Sequence, residues 1–266
     1  MNLGAKHVVG LALVLVVMTS CGTAGKPAAD GSVEATATHT PAHWTYEGED
    51  GPENWGTLDP AYTLCVDGSA QTPINITASA ESDIPDPVFS YTAGNADLVN
   101  NGHTVQAVSA AGNTLTIDGT VYTLKQMHFH APSEHTIDGI QAAAEMHFVH
   151  QSEAGVLAVV GVLMMQGETA NAAWQQYILG TTTPKDAKAQ TMIDWPALLP
   201  QSHITYQYEG SLTTPPCSEG VQWMVMKESV SLSADQIAQL KQAYVGNARP
   251  IQELGDRTLT LDTVTK

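Results

Sequence analysis

Short stretches of this chain alternate apolar and polar residues with period two, the mark of strands that bury one face. They fall at residues 104–108, 114–117, 121–130, 144–150, 156–164, 204–208 and 221–226. Asp118-Gly119 separates the second from the third and predicts a two-residue hairpin turn, since both residue types tolerate positive φ. Helical spacing is scarcer. Ser233-Ala234-Asp235-Gln236 fits a capping box, with Ile237, Leu240 and Tyr244 following on one face, and a weaker helix is expected over 171–179. From His43 onward aromatic residues, Pro and Gly punctuate the apolar segments closely, as in a mainly β domain with long surface connections. The sequence holds no internal repeat, phosphate-binding loop, dinucleotide glycine fingerprint or Gly-x-Ser-x-Gly turn.

The N-terminal pattern is of another kind. Lys6 precedes an apolar run over residues 8–17 and then small or polar residues, the layout of a secretory signal over 1–20. The run is short for a bilayer span. Met18-Thr19-Ser20-Cys21 resembles a bacterial lipobox, with Met18 where Leu is commoner, so Cys21 is expected to be the lipidated first residue of the mature chain. An ordinary cleaved signal with an incidental Cys is the alternative. Residues 21–42, rich in Ala, Thr and Gly, read as a flexible tether, which leaves 43–266 as the folded domain. Export places the chain in the periplasm or at the cell surface, touching a membrane only through the lipid at Cys21.

Composition narrows the partners. With 43% hydrophobic and 14% charged residues, the 266-residue chain can bury a sizeable core. Ten Lys+Arg against 27 Asp+Glu give a net charge of −17, which repels phosphate backbones and excludes nucleic acid. If Cys21 is lipidated, Cys65 and Cys217 remain to form one disulfide in an oxidising compartment. Two buried free thiols are the alternative.

The candidate chemistry lies in Gln126-Met127-His128-Phe129-His130 and Glu145-Met146-His147. At roughly 3.3 Å rise per residue, His128 and His130 project from one strand face about two residues' rise apart. Strict alternation puts Leu124, Gln126, His128 and His130 on that face and Met127 and Phe129 on the other; in the next segment Glu145, His147 and Val149 oppose Met146 and Phe148. An isolated His-x-His pair is more often packed or exposed histidine. A third imidazole on a neighbouring strand completes a three-ligand site with an open fourth position, which is the catalytic form of a zinc centre. Gln126 and Glu145, each two residues before a ligand candidate, can take the outer ring N–H of His128 and His147.

Five further blocks, in order, are Gly51-Pro52-Glu53-Asn54-Trp55, Gln71-Thr72-Pro73-Ile74-Asn75-Ile76, Asn100-Asn101-Gly102-His103, Pro132-Ser133-Glu134-His135-Thr136 and Ser211-Leu212-Thr213-Thr214-Pro215-Pro216-Cys217. Together they resemble α-class carbonic anhydrases of the exported bacterial type, from about residue 43 to the end. The resemblance implies a mainly β (α+β) fold, with a large twisted, mostly antiparallel central sheet of about ten strands and short surface helices. It implies reversible hydration of carbon dioxide to bicarbonate and a proton, on Zn2+ held by His128, His130 and His147. Thr213 and Glu134 would orient the zinc-held hydroxide. Val149, Val159, Leu212, Thr214, Val221 and Trp223 would line the substrate pocket. His103 would be the proton shuttle, with Tyr46, Asn101 and Gln106 ordering its water chain; Gln106 stands where many relatives carry Asn. The backbone carbonyl of Asn247 would take the outer nitrogen of His130. Relatives often form homodimers. A cell-surface binding protein and a metallo-esterase on the same fold are the rival readings. His7, His39, His43, His135, His150 and His203 read as structural or incidental.

Overall fold

The period-two segments pair into one large sheet in a computed structural model, which describes residues 39–263 apart from Ala78 and Ala111. The expected signal, Cys21 and most of the tether lie outside the described residues. Ten strands follow one another across the sheet: β1 (Ala80–Ser82), β2 (Gly94–Asn100), β3 (Val105–Ser109), β4 (Thr120–His130), β5 (Ala144–Ser152), β6 (Leu157–Gly167), β7 (Lys188–Ile193), β8 (Thr205–Ser211), β9 (Glu219–Met226) and β10 (Thr260–Asp262). Their order is β7-β2-β3-β4-β5-β6-β9-β8-β10-β1, antiparallel except for β6–β9 and β10–β1. Val88–Ser90, Thr114–Ile117 and Val230–Ser233 attach beside this path. The hairpin at Asp118-Gly119 forms with φ of 45° and 75°, and Ile117 pairs with Thr120 across it.

Two helices cover one face. In α1 (Ala172–Gly180) the Asn171 side chain caps Ala173; α2 (Ala234–Ala243) starts on the reciprocal Ser233–Gln236 box. Tyr244, expected on the helix, lies just past its end in extended backbone. Trp174, Tyr177, Ile178, Ile237 and Leu240 pack with Met127, Phe129, Met146 and Phe148 as the main core. On the opposite face Val159, Tyr208, Val221, Trp223 and Val225 form a smaller cluster with Ile74 and Ile76.

The simple alternation along β4 needs one correction. Pairing steps from Val149–Gln126 to His150–Leu124, so Lys125 is an extra residue on β4. Such a bulge resets which side chains face which way. Leu124 therefore joins Tyr122, Met127 and Phe129 in the main core, and the site face of β4 begins at Gln126.

Cys65 and Cys217 are bonded, which removes the two-thiol alternative. The bond ties the helical turn Leu64–Asp67 to the loop after β8, against Trp55 and Tyr62. Closing a loop of 152 residues removes unfolded-chain entropy worth on the order of 5 kcal/mol in the chain-entropy account.

Candidate metal centre

Register makes the three histidines neighbours: His128 faces His147 across β4 and β5, and His130 faces Glu145. One ligating atom of each lies within 4.8 Å of the other two. The surrounding acceptors decide which atom that is. His128 Nδ1 meets Gln126 Oε1 at 2.8 Å, His130 Nδ1 meets the Asn247 carbonyl at 2.6 Å, and His147 Nε2 meets Glu145 Oε1 at 3.0 Å. An amide oxygen, a carbonyl and a carboxylate can only accept, so each outer nitrogen carries the proton. The inner nitrogens, Nε2 of His128 and His130 and Nδ1 of His147, are left as lone pairs.

Whether a metal fits can be judged from those lone pairs. His130 Nε2 is buried without a hydrogen-bond partner in the protein, an arrangement that costs free energy until a donor or a cation takes it. Burial lowers the pKa of all three rings, that of His130 to about 4, and their mutual repulsion adds to this for His128 and His147. They are held neutral, the form that ligates metal. Three converging imidazoles suit zinc, so these residues fit the ion.

A second buried triad, His135, Glu145 and His147, does not fit one. Glu145 Oε1 already receives His135 Nδ1 at 2.7 Å as well as His147 Nε2, while His135 Nε2 meets the Tyr208 hydroxyl at 2.6 Å. Its other oxygen accepts the amides of Glu134 and His135 at 3.0 and 2.8 Å. Burial would raise the Glu145 pKa, but His135 and His147 hold it well below the usual carboxylate range. The triad is a hydrogen-bonded brace behind His147. Gly161, opposite His147 on β6, leaves room for it, since a Cβ there would stand 2.8 Å from Glu145 Oε1. His135, structural by its sequence pattern, is the far end of this brace.

Glu134 is buried between the imidazoles and the loop after β8. Its Oε1 accepts the Arg249 amide at 2.8 Å, and Oε2 lies 3.4 Å from His130 Nε2. Burial pushes its pKa up to about 7 against the pull of His147, the Arg249 amide and a hydrogen bond from Thr213. The last two donors favour the ionised carboxylate. Thr213 sits where Leu212 N–H meets the Ser218 carbonyl and Cys217 N–H meets that of Thr214, so the disulfide and these turns fix its position. The Arg249 guanidinium bonds Gln71, Thr72 and the Cys65 carbonyl, fastening the same corner.

A cavity of about 140 Å³ opens above the imidazoles. Val149, Val159, Leu212, Thr214 and Trp223 line it, and register explains why: Val149 pairs with Val159 and Val159 with Trp223, one apolar row across three strands. Val221, expected on this wall, is buried behind it with Val159 and Trp223. The other side carries Tyr46, Asn101, His103, Thr104 and Gln106. Asn101 Oδ1 is engaged by the amides of His103 and Thr104, both at 2.9 Å, so only its NH2 is left for the cavity. Asn247 ties the polar side to β4, with its amide donating to the carbonyls of His103 and Phe129.

Two residues on the polar side escaped sequence reasoning. Trp44 lines the cavity and stacks on the His103 ring at 3.7 Å with 9° between planes. The His43 ring lies 6.3 Å from that of His103. The signal that could have found them is the run His43-Trp44-Thr45-Tyr46, three rings in four residues where the folded domain begins.

Comparison with known proteins identifies the family. The family model for eukaryotic-type carbonic anhydrase matches residues 50–263. A carbonic anhydrase of Pectobacterium carotovorum is 41% identical over 230 residues, which is 85% of this chain and 93% of that one. The solved α-carbonic anhydrase of Thermovibrio ammonificans, in complex with the inhibitor sulfanilamide, matches with a TM-score of 0.79 at 38% identity, over 82% of this chain and 99% of its own. That of Photobacterium profundum gives 0.78 at 40% identity, over 82% and 100%. With three neutral imidazoles converging beside an apolar row, on a sheet shared with these proteins, the chain belongs to the α-class carbonic anhydrases.

Proposed function

We propose that the enzyme hydrates carbon dioxide to bicarbonate and a proton using Zn2+ held by His128 Nε2, His130 Nε2 and His147 Nδ1. The observation that carries this is the set of three acceptors, which leaves three lone pairs facing one point. When bound there, zinc acidifies coordinated water to near neutrality, an effect established for carbonic anhydrase itself rather than deduced from this chain.

The chain's own residues supply direction, substrate and proton exit. Glu134 takes the hydrogen bond from the Thr213 hydroxyl, and this fixes the Thr213 proton toward the carboxylate. The Thr213 oxygen then offers lone pairs to the cavity, accepts from the attacking oxygen and turns that oxygen's free pair toward the substrate. Val149, Val159, Leu212 and Trp223 offer carbon dioxide an apolar wall that does not compete through hydrogen bonds. His103, whose pKa is lowered by burial and then by His43 and Lys185, is a neutral acceptor at physiological pH and passes the released proton outward. Tyr46, Gln106 and the Asn101 NH2 border that route. Export through the leader and a lipid at Cys21 belong to the same reading, since an enzyme acting on a membrane-permeant gas gains from a place beside the membrane. The test is metal content and carbon dioxide hydration on purified protein. Wild type should hold one zinc per chain, and His128→Ala should lose both zinc and activity. Activity without metal would sink the reading.

A further inference from the structure

The two ends of the large sheet are built differently. At one end β1 is three residues long, exposed throughout, and carries Glu81, with Asp83 and Pro85 just beyond. Shortness, charge and proline each blunt an edge against pairing. At the other end β7 runs for six residues with no proline and no acidic side chain inside it. It pairs with β2 on one side only, and among the described residues no other backbone group bonds its outer N–H and C=O groups. Such a row is a template for a further strand. Lys188, Gln190 and Met192 are exposed along it, Met192 to 58%, and so is Asp194 just past its end.

The residues of this edge also select the strand that fits it. A net charge of −17 drives copies of the chain apart in general, but Lys188 and Asp194 leave this segment neutral. Laid antiparallel about Thr191, two copies set each Lys188 opposite the other's Asp194 and each Gln190 opposite the other's Met192. That is the self-complementarity a two-fold interface demands. Neighbouring registers lack it. A slip of one residue sets exposed positions against buried or half-buried ones; a slip of two sets Asp194 against Asp186 in one direction and Lys188 against Pro196 in the other. The exposed row of β7 also shares the cavity's face of the sheet. Gln126, on the cavity wall, pairs with Val108, Val108 with Asp97 and Asp97 with Gln190, whose amide donates to Asp97 at 2.6 Å.

We propose that β7 pairs antiparallel with β7 of a second copy about Thr191, joining the two ten-strand paths into one continuous sheet. The two-fold axis of such a strand pair stands perpendicular to the sheet, so both metal cavities open on the same side of the dimer. Main-chain hydrogen bonds hold the pair, and the Lys188–Asp194 contacts, made twice, fix its register.

A charge swap tests this. Sedimentation velocity on the chain expressed without lipid should show a two-subunit species that dissociates on dilution. Lys188→Asp and Asp194→Lys, each placing like charges opposite one another at two symmetric points, should each weaken association about tenfold. The double variant Lys188→Asp/Asp194→Lys should restore it. Carbon dioxide hydration and zinc content, unchanged in all three, would show that the fold is intact. Hydrogen exchange at high and low concentration should protect the outward amides of residues 188–193 only in the dimer. A monomer at every concentration, a dimer indifferent to both single reversals, or a double variant no better than the singles would each overturn the proposal.

Discussion

The cavity has two walls built in opposite ways. On the metal wall every ring nitrogen but the inward lone pairs is committed: Glu145 alone takes four N–H groups, and Gln126 and the Asn247 carbonyl take two more. On the outlet wall the His103 ring is held by stacking on Trp44, and among the described residues no side chain hydrogen-bonds its nitrogens. The contrast follows from what each must do. A ligand set must keep one geometry through every turnover, and buried, fully satisfied hydrogen bonds impose that. A proton carrier must exchange hydrogen-bond partners, and a stacked ring can do so without breaking a fixed bond.

The comparison can be broken from the rigid side first. Glu145→Gln replaces an acceptor for four donors by a group that itself donates, and should cost about 3–5 kcal/mol of stability and lower zinc affinity about 10- to 100-fold. Chemical unfolding and competitive chelation would read both. Unchanged affinity would mean that the brace does not hold His147.

The back of the same strand gives the next effect. His150 faces the core, bonded to the Tyr91 hydroxyl, and burial depresses its pKa from 6.5 to about 4. Between those values the unfolded chain holds the extra proton, so stability is full above pH 6.5 and falls as pH drops toward 4. At 1.36 kcal/mol per unit the loss attributable to this ring is about 3 kcal/mol. Unfolding of wild type and His150→Gln across that range should show a shallower acid loss in the variant; parallel curves would contradict it.

On the outlet side the expected effect is smaller and confined to one constant. His103→Ala should lower kcat about tenfold in weak buffer, leave kcat/KM and zinc content unchanged, and recover with imidazole, because a diffusing base can replace a carrier but not a ligand. Buffer-dependence of the two constants checks this. A loss of zinc would blur the distinction between the walls.

How much of this was legible in the sequence depends on range. The ligand pair and its Gln126 and Glu145 partners are two residues apart along single strands, where parity is local and readable. Parity failed at Lys125, because a bulge depends on the partner strand and leaves no period of its own. The strands β2 and β7 were missed for a related reason: Gly94–Asn100 and Lys188–Ile193 near and at the sheet's edge carry too many small or polar residues to show a clean alternation. Asn247, Arg249 and Thr213 lie far along the chain from the groups they serve, so resemblance rather than pattern pointed to Thr213 and to the Asn247 carbonyl. His43 and Trp44 meet His103 across about sixty residues, a distance only the fold could close.

The central claim is that the metal wall is set before metal arrives, by acceptors that fix the tautomers. Nitrogen-15 NMR of the metal-free protein near neutral pH reads this directly. His128 and His130 should appear as neutral rings protonated on Nδ1 and His147 as a neutral ring protonated on Nε2. Mixed tautomers, or an imidazolium at any of the three, would contradict the account.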